Sequence, residues 1–314
     1  MKLIFAGTPD FAVLSLRKLY NNDQIEIKAV ITQPDRRQGR GKKVQYPPVK
    51  KEALNLELKV MQPQNINDDD FIREIEKMDI DLIVVVAYGQ ILSKKILNMP
   101  HYGCINLHAS LLPVYRGSSP IQQAIMDGRK KTGVTTMFMD KGLDTGDIIY
   151  QKEVEIKRNY NAGDLHDRLA QIGADLLDKT LTDLSRNDLT RRKQNESKAS
   201  YTNKLSKEDG LIDWEKTNQK LYYFVKAMNP WPGSFTYLNG QLLKIFEAEP
   251  IKGNTDKKPG SIVEADPKKG LIVQTGRGLL KLNKLQLAGR KKMSSSDFLR
   301  GNKIEQDIKF EDKE

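Results

Sequence analysis

The sequence predicts an α/β chain in which a domain built on a mostly parallel β-sheet precedes a small OB-like β-barrel. Three observations predict it. Short apolar runs alternate with amphipathic stretches through the first half, the rhythm of βαβ units. Residues 186–200 then hold one large apolar residue, Leu189, and no periodicity. Beyond them, short strand-like runs follow one small helical pattern, the make-up of a compact barrel of the OB type.

A chain of 314 residues exceeds the ordinary size of one hydrophobic core, so the division expected is a domain over 1–185, a linker over 186–204 and a domain over 205–314. In the first domain, strands are expected over 2–6, 25–32, 82–87 and 104–108, with helices over 11–20 and 71–78 between them. Further strands follow over 132–139 and 148–154. Leu165, Leu169, Ile172, Leu176, Leu177 and Leu181 then recur at helical spacing, so a long amphipathic helix closes the domain. In the second, a helix over 220–228 precedes strands over 234–238, 242–247, 261–264, 271–274 and 279–287, and the pair Asn239-Gly240 marks a hairpin.

Composition narrows the function classes. With 38% hydrophobic and 30% charged residues, the chain holds no apolar run near the ~20 residues a membrane helix needs. The apolar opening Leu3-Ile4-Phe5-Ala6 is cut short by Pro9 and Asp10, which fits a buried strand and not a signal peptide. One cysteine, Cys104, leaves no internal disulfide, and three histidines make a poor metal site, so a reducing cytoplasmic setting without a metal is expected. Nothing demands a dimer, and a monomer is expected. The net charge of +11 points to a polyanionic partner. Residues 201–314 carry 21 Lys and Arg against 15 Asp and Glu, so charge is densest in the C-terminal third. Gly7-Thr8-Pro9 lacks the glycine pattern of a dinucleotide loop, which excludes nicotinamide binding.

Period-two alternation in 104–108 places Asn106 and His108 on one face at the C-terminal end of a strand, where crevices form in parallel sheets. Taken alone, such a pair is also compatible with a hydrogen-bonded strand end. Gly142 and Gly146 frame Asp144 in an irregular loop, whose aspartates can equally bond their own backbone. For acyl transfer the three side chains form a coherent set: an imidazole to exchange protons, an amide to donate to an oxyanion and a carboxylate to orient the imidazole. Residues 33–51 gather Arg36, Arg37, Arg40, Lys42, Lys43, Lys50 and Lys51 against Asp35, which suits moulding to phosphates as well as a solvated loop. Arg290, Lys291 and Lys292, beside Lys281 and Lys284, offer phosphate contacts on the barrel, and Arg191, Arg192 and Lys193 lie in the linker.

The run Asn106-Leu107-His108-Ala109-Ser110-Leu111-Leu112-Pro113-Val114-Tyr115-Arg116-Gly117, with Pro120-Ile121-Gln122 after it, resembles the signature of formyltransferases that use 10-formyltetrahydrofolate. Asp144-Thr145-Gly146-Asp147 is similar to their second catalytic loop. The openings of the first strand and of the 85–90 turn, the basic loop 33–43, and the segments 201–210, 212–214 and 229–233 narrow the resemblance to the methionyl-tRNA formyltransferase family, over nearly the whole chain. The resemblance implies a Rossmann-like formyltransferase domain and an OB-like tRNA-binding domain. It implies transfer of a formyl group from 10-formyltetrahydrofolate to the amino group of initiator methionyl-tRNA. Asn106, His108 and Asp144 become the catalytic residues, and Ser110, Leu111, Leu112 and Pro113, with Tyr88, Gly89 and Gln90, the folate contacts. Arg36, Arg37, Arg40, Lys42 and Lys43 fall in the loop that grips the acceptor end. The family usually has proline where Arg37 stands.

The mechanism this implies is direct attack by the methionyl amine, with Asn106 and a transiently charged His108 stabilising the tetrahedral oxyanion while Asp144 holds the imidazole. An α-amino group has a pKa near ~8 and esterification lowers it, so positioning outweighs deprotonation. A formyltransferase or hydrolase using the same donor with a small acceptor is the alternative, and the basic loop and barrel argue against it. A non-catalytic RNA-binding protein is a second, which the intact Asn106, His108 and Asp144 argue against.

Overall fold

In the computed structural model, which describes residues 1–38, 43–304 and 308–311, strand β1 (Lys2–Gly7) is buried from Leu3 onward, as a strand covered on both faces must be. Helix α1 (Val13–Tyr20) returns the chain to β2 (Glu26–Ile31). An antiparallel hairpin of β3 (Arg36–Gln38) and β4 (Lys43–Gln45) follows. Helix α2 (Pro48–Asn55) begins on a proline, whose missing N–H has no helical partner to lose at that position, and leads to β5 (Val60–Met61). Helix α3 (Asp69–Glu76) starts with two aspartates at the end of the helix that favours negative charge, and β6 (Leu82–Val86) is buried throughout. There follow α4 (Lys94–Leu97), β7 (Cys104–His108), β8 (Arg116–Gly117), α5 (Pro120–Met126), β9 (Lys131–Phe138), β10 (Ile148–Glu155), α6 (Ala162–Ser185) and β11 (Tyr201–Thr202).

The first of two compact units comprises Met1–Pro120, Lys131–Glu155 and His166–Thr202. Its seven-stranded sheet runs β10-β9-β7-β6-β1-β2-β5. The ladders from β5 to β7 are parallel, and β9 is antiparallel to both β7 and β10. The chain travels outward from β1 to β5 and then returns to β6 on the other side of β1. Strand order therefore reverses between β1 and β6, which is where parallel sheets open a crevice at their C-terminal edge. Ile4, Ala6, Ala29, Ile31, Ile83, Val85 and Cys104 pack in the core on one side of the sheet. On the other side α6 approaches β7 at Gly173, where even a methyl group would stand 2.8 Å from the Leu107 side chain. That contact seats the strand carrying Asn106 and His108.

The segment after α6, which the sequence presents as an aperiodic linker, is bonded to this unit main chain to main chain. Arg192 and Ile148 exchange N–H···O bonds of 2.8 and 3.0 Å, Ser200 donates to the Pro113 carbonyl at 3.2 Å, and β11 pairs with β8. Hydrogen bonds that leave no apolar trace in the sequence hold it.

The second unit comprises Ile121–Lys130, Ile156–Leu165 and Asn203–Glu314. Helix α7 (Asn218–Met228) is capped by the Thr217 hydroxyl and packs on an antiparallel sheet. The sheet contains β12 (Ser234–Leu238), β13 (Gln241–Ile251), β14 (Ile262–Asp266), β15 (Gly270–Gln274) and β16 (Leu279–Leu287), in the order β12-β13-β16-β15-β14, with β17 (Met293–Ser294) also paired to β16. Helix α8 (Ser295–Gly301) packs on it as well. Asn239 and Gly240 both have positive φ, as the two-residue hairpin requires. Register shifts between Ile245 and Ala248 bend β13 and let the sheet curl. Residues 308–311 then join the two edges: Tyr237 and Glu311 exchange main-chain bonds of 3.0 Å, Ile262 donates to the Ile308 carbonyl at 3.0 Å, and Phe310 donates to that of Gly260 at 2.8 Å. Phe310 is buried and stacks on Trp214 with ring centres 5.4 Å apart. Four residues are too few for periodicity to reveal, so this closure was not legible in the sequence.

Two outcomes are expected. Phe310→Ala empties the space beside Trp214 and should destabilise the barrel by about 3–5 kcal/mol, read as a lower urea midpoint; an unchanged midpoint would show that the closure contributes nothing. In the first unit, His166 sits 3.3 Å from Asp10 and 2.9 Å from Asp167. Asp10 first, and Asp167 with it, raise the imidazole above its ordinary pKa against the opposing effect of burial. A raised folded-state value stabilises below the unfolded pKa of about 6.5 and loses that effect as pH rises through the folded value. His166→Gln should therefore lower stability more at pH 5.5 than at pH 8.5 in urea melts of the full chain.

Candidate active site

The site is built where β7 ends. Asn106 and His108 lie on one face of the strand, 8% and 7% exposed, with β6 and β9 hydrogen-bonded on either side. After His108 the chain folds back on itself. Ser110 Oγ donates to the Val114 carbonyl at 2.6 Å, and Thr135 Oγ1 donates to the Ser110 carbonyl at 2.6 Å and accepts from Leu112 N–H at 3.2 Å. This turn, in which Leu112-Pro113 is cis, brings the Tyr115 carbonyl to 2.9 Å from His108 Nε2.

A carbonyl only accepts, so His108 Nε2 is the donor in that bond. In the neutral ring Nδ1 is then the nitrogen with the free lone pair, and it faces Asp144 Oδ2 at 3.6 Å. The same carboxylate accepts from Gly117 N–H at 2.8 Å through Oδ2, while its Oδ1 lies 3.4 Å from Asn106 Nδ2. The three side chains that the sequence singled out therefore converge on one carboxylate. Asp144 reaches them with φ of 55°, a left-handed conformation that costs a non-glycine residue about 1–2 kcal/mol and has to be held by its surroundings.

Part of that hold comes from residues the sequence reading missed. Gln194 Nε2 donates to the carbonyls of Asp144 and Gly146, both at 2.8 Å. Its Oε1 accepts from Arg116 Nε at 3.2 Å and Nη2 at 3.0 Å. Arg116 is fully buried and is paired end-on with Glu196 at 2.7 and 2.8 Å, with Tyr201 OH at 2.9 Å from the guanidinium. The pairing with Glu196 keeps its pKa raised above the ordinary guanidinium value. Gln194 sits in the aperiodic segment, where nothing in the sequence flags it.

The residues matched to folate contacts divide. Ser110 and Leu112 are buried in the turn, and Leu111 packs over Gly133. The Tyr88 ring lies in the core, where burial raises the phenol's pKa, and the Gln90 amide is bound to Ile66 N–H at 2.8 Å and the Gln64 carbonyl at 3.2 Å. Gly89, exposed with φ of 93°, faces the Gln33 side chain, whose buried Nε2 has no hydrogen-bond partner among the described residues. An orphaned donor and a glycine backbone at the C-terminal edge of β6 suit a ligand rich in acceptors, which a pterin is.

Of the basic groups, Arg36 is exposed on β3. Arg37 and Lys43 belong to the hairpin strands, and Arg40 and Lys42 lie outside the described residues. Lys50 is occupied by Asp35 at 2.7 Å and Gln62 at 2.6 Å. In the barrel, Arg290, Lys291 and Lys292 are exposed after β16, with Lys292 Nζ 4.0 Å from the Phe246 ring centre, whereas Lys281 and Lys284 pair with Glu249 and Glu247 at 3.7 and 3.3 Å. Arg191 stacks 3.7 Å over Phe138, and Arg192 donates to Gln151 at 2.6 Å. Cys104 is buried and its thiol is pushed up to about 12, which makes it a core residue and not a nucleophile.

A family model described as formyl transferase matches residues 1–181, and one described as formyl transferase, C-terminal domain, matches residues 204–303. The chain is 52% identical to the methionyl-tRNA formyltransferase of Halothermothrix orenii over 315 residues, covering 99% of this chain and 100% of the relative. It is 46% identical to that of Clostridium tetani over 312 residues, covering 99% and 100%. Among solved structures it is similar to the N-formyltransferase from Helicobacter canadensis in complex with folinic acid and dTDP-3-aminofucose, with a TM-score of 0.64 and 22% identity over 90% of this chain and 98% of that one. The last likeness is one of fold; the full-length identities and the two family matches go further, and this chain belongs to the methionyl-tRNA formyltransferase family.

Proposed function

We propose that this chain transfers the formyl group of 10-formyltetrahydrofolate to the amino group of initiator methionyl-tRNA, with Asn106, His108 and Asp144 as its catalytic residues. The observation that carries the residue assignment is the convergence of Asn106 Nδ2, His108 Nδ1 and Gly117 N–H on the Asp144 carboxylate. The folate supplies an activated formyl carbon when bound. His108 Nδ1 takes the proton that the methionyl amine loses, because the Tyr115 carbonyl reserves Nε2–H for itself. Asp144 stabilises the imidazolium so formed, and the Asn106 amide donates to the oxygen on which negative charge develops. As the bond between the formyl carbon and N10 of the folate breaks, His108 returns that proton to N10, tetrahydrofolate leaves, and no covalent bond to the enzyme is required. The folate is held by the main chain around Gly89 and by the Ser110–Pro113 turn.

For the tRNA, we assign the basic segment 33–51, which carries Arg36, Arg37, Arg40, Lys42 and Lys43, to the acceptor end, and Arg290, Lys291 and Lys292 to backbone phosphates. Residues 1–185 then perform the chemistry and residues 205–314 hold the nucleic acid, in a cytoplasmic monomer. Cations set against phosphates contribute through counterion release, which makes affinity fall steeply with salt.

With labelled formyl donor and folded protein, His108→Ala and Asn106→Ala should each lower kcat by about 10²–10³-fold, with initiator methionyl-tRNA labelled in preference to the elongator species by the wild type. Consumption of donor with neither tRNA labelled would refute the acceptor. Replacing Arg36 or Lys291 by Gln should reduce the slope of log affinity against log salt by about one for each phosphate no longer neutralised; an unchanged slope removes that residue from the interface.

A further inference from the structure

We propose that Gln194 is a positioning residue for formyl transfer, holding Asp144 in its left-handed conformation by a carboxamide clamp anchored on the buried Arg116. The proposal rests on the assignment of Asp144 to catalysis. Its basis is how completely each atom of the Gln194 carboxamide is engaged. Nε2 gives its two hydrogens to the carbonyls of Asp144 and Gly146, each at 2.8 Å, one on the residue with the left-handed backbone and one two residues on. Oε1 receives two donations from Arg116.

Arg116 cannot shift to follow a moving loop. It has no exposed surface, Glu196 binds it at two points, and it directly precedes Gly117, whose N–H holds the Asp144 carboxylate at 2.8 Å. Asp144 is thus gripped at its side chain by Gly117 and at its main chain by Gln194, and both grips trace back to one guanidinium and the peptide beside it. Without the Gln194 donations, the loop keeps the carboxylate bond but loses the donors that hold the Asp144 and Gly146 carbonyls. The carboxylate then swings relative to His108 Nδ1, and the proton transfer suffers while substrate binding does not.

Gln194→Met removes both sides of the clamp. Gln194→Glu keeps the acceptor that Arg116 uses and places an oxygen against the two carbonyls. Each should lower kcat by about 10- to 100-fold and leave KM for 10-formyltetrahydrofolate and for methionyl-tRNA within about twofold, with thermal melts verifying the fold. Combined with Asp144→Ala, either change should cost nothing further, because a residue acting only through Asp144 has nothing left to position. If a folded Gln194→Met enzyme keeps kcat near the wild type while Asp144→Ala is inactive, the clamp is refuted and the catalytic assignment stands. The clamp is equally refuted if the losses multiply in the double variant. If Asp144→Ala itself transfers at the wild-type rate, the assignment of Asp144 falls and the clamp falls with it. Should Gln194→Met fail to fold, the Gln194→Glu variant, which preserves the Arg116 contact, decides the matter by the same kcat criterion.

Discussion

A guanidinium with no exposed surface is the constraint on which the site depends. Breaking a fully buried ion pair costs about 3–5 kcal/mol. Here Glu196 keeps 67% of its side chain in water, so its loss costs less, and Gln194 and Tyr201 complete the shell around Arg116. All three partners come from the stretch after α6. The β8 strand can therefore settle only when that stretch is docked, and β8 supplies the Gly117 N–H that receives Asp144.

The side chains of Asn106, His108 and Asp144 are oriented by peptide groups more than by one another. The Tyr115 carbonyl selects which His108 nitrogen carries the permanent hydrogen, and the Gly117 amide fixes the carboxylate. A peptide group cannot rotate away as a side chain can, so orientation is set during folding and not during each turnover. Such an arrangement also explains why the site lies at loops following strands. Strand interiors spend their N–H and C=O groups on the ladder, whereas the turns after β7 and β9 have them free to aim.

Legibility in the sequence followed the length of each signal. Strands β1, β6 and β7 and the long helix α6 were visible because their apolar residues repeat over several positions, and the Asn239-Gly240 hairpin because only a few residue pairs tolerate its backbone. Asn106 and His108 shared a face by simple alternation. Their meeting with Asp144 could not be read from spacing, since Asp144 lies 38 positions beyond Asn106 with an antiparallel strand between. The pairing of Lys50 was hidden for a different reason: a cation in a basic run looks free until Asp35 and Gln62 are seen around it. Strand β5 and the closing segment 308–311 were invisible because each acts through main-chain bonds that leave no mark on hydrophobicity, and Gln194 because the partners of a polar side chain leave none either.

That closing segment has a consequence for how the barrel is made. Thr236 and Glu311 are 75 residues apart, yet the Thr236 hydroxyl and the Tyr237 main chain both bond to Glu311. During synthesis β12 emerges from the ribosome long before Glu311, and until then the Tyr237 amide and carbonyl on its outer edge, beyond the Phe235 carbonyl that Ile212 already binds, lack their partner. The nascent chain therefore passes through an interval in which pairing with a second copy competes with its own completion, and the speed of elongation through residues 238–311 sets how long that interval lasts.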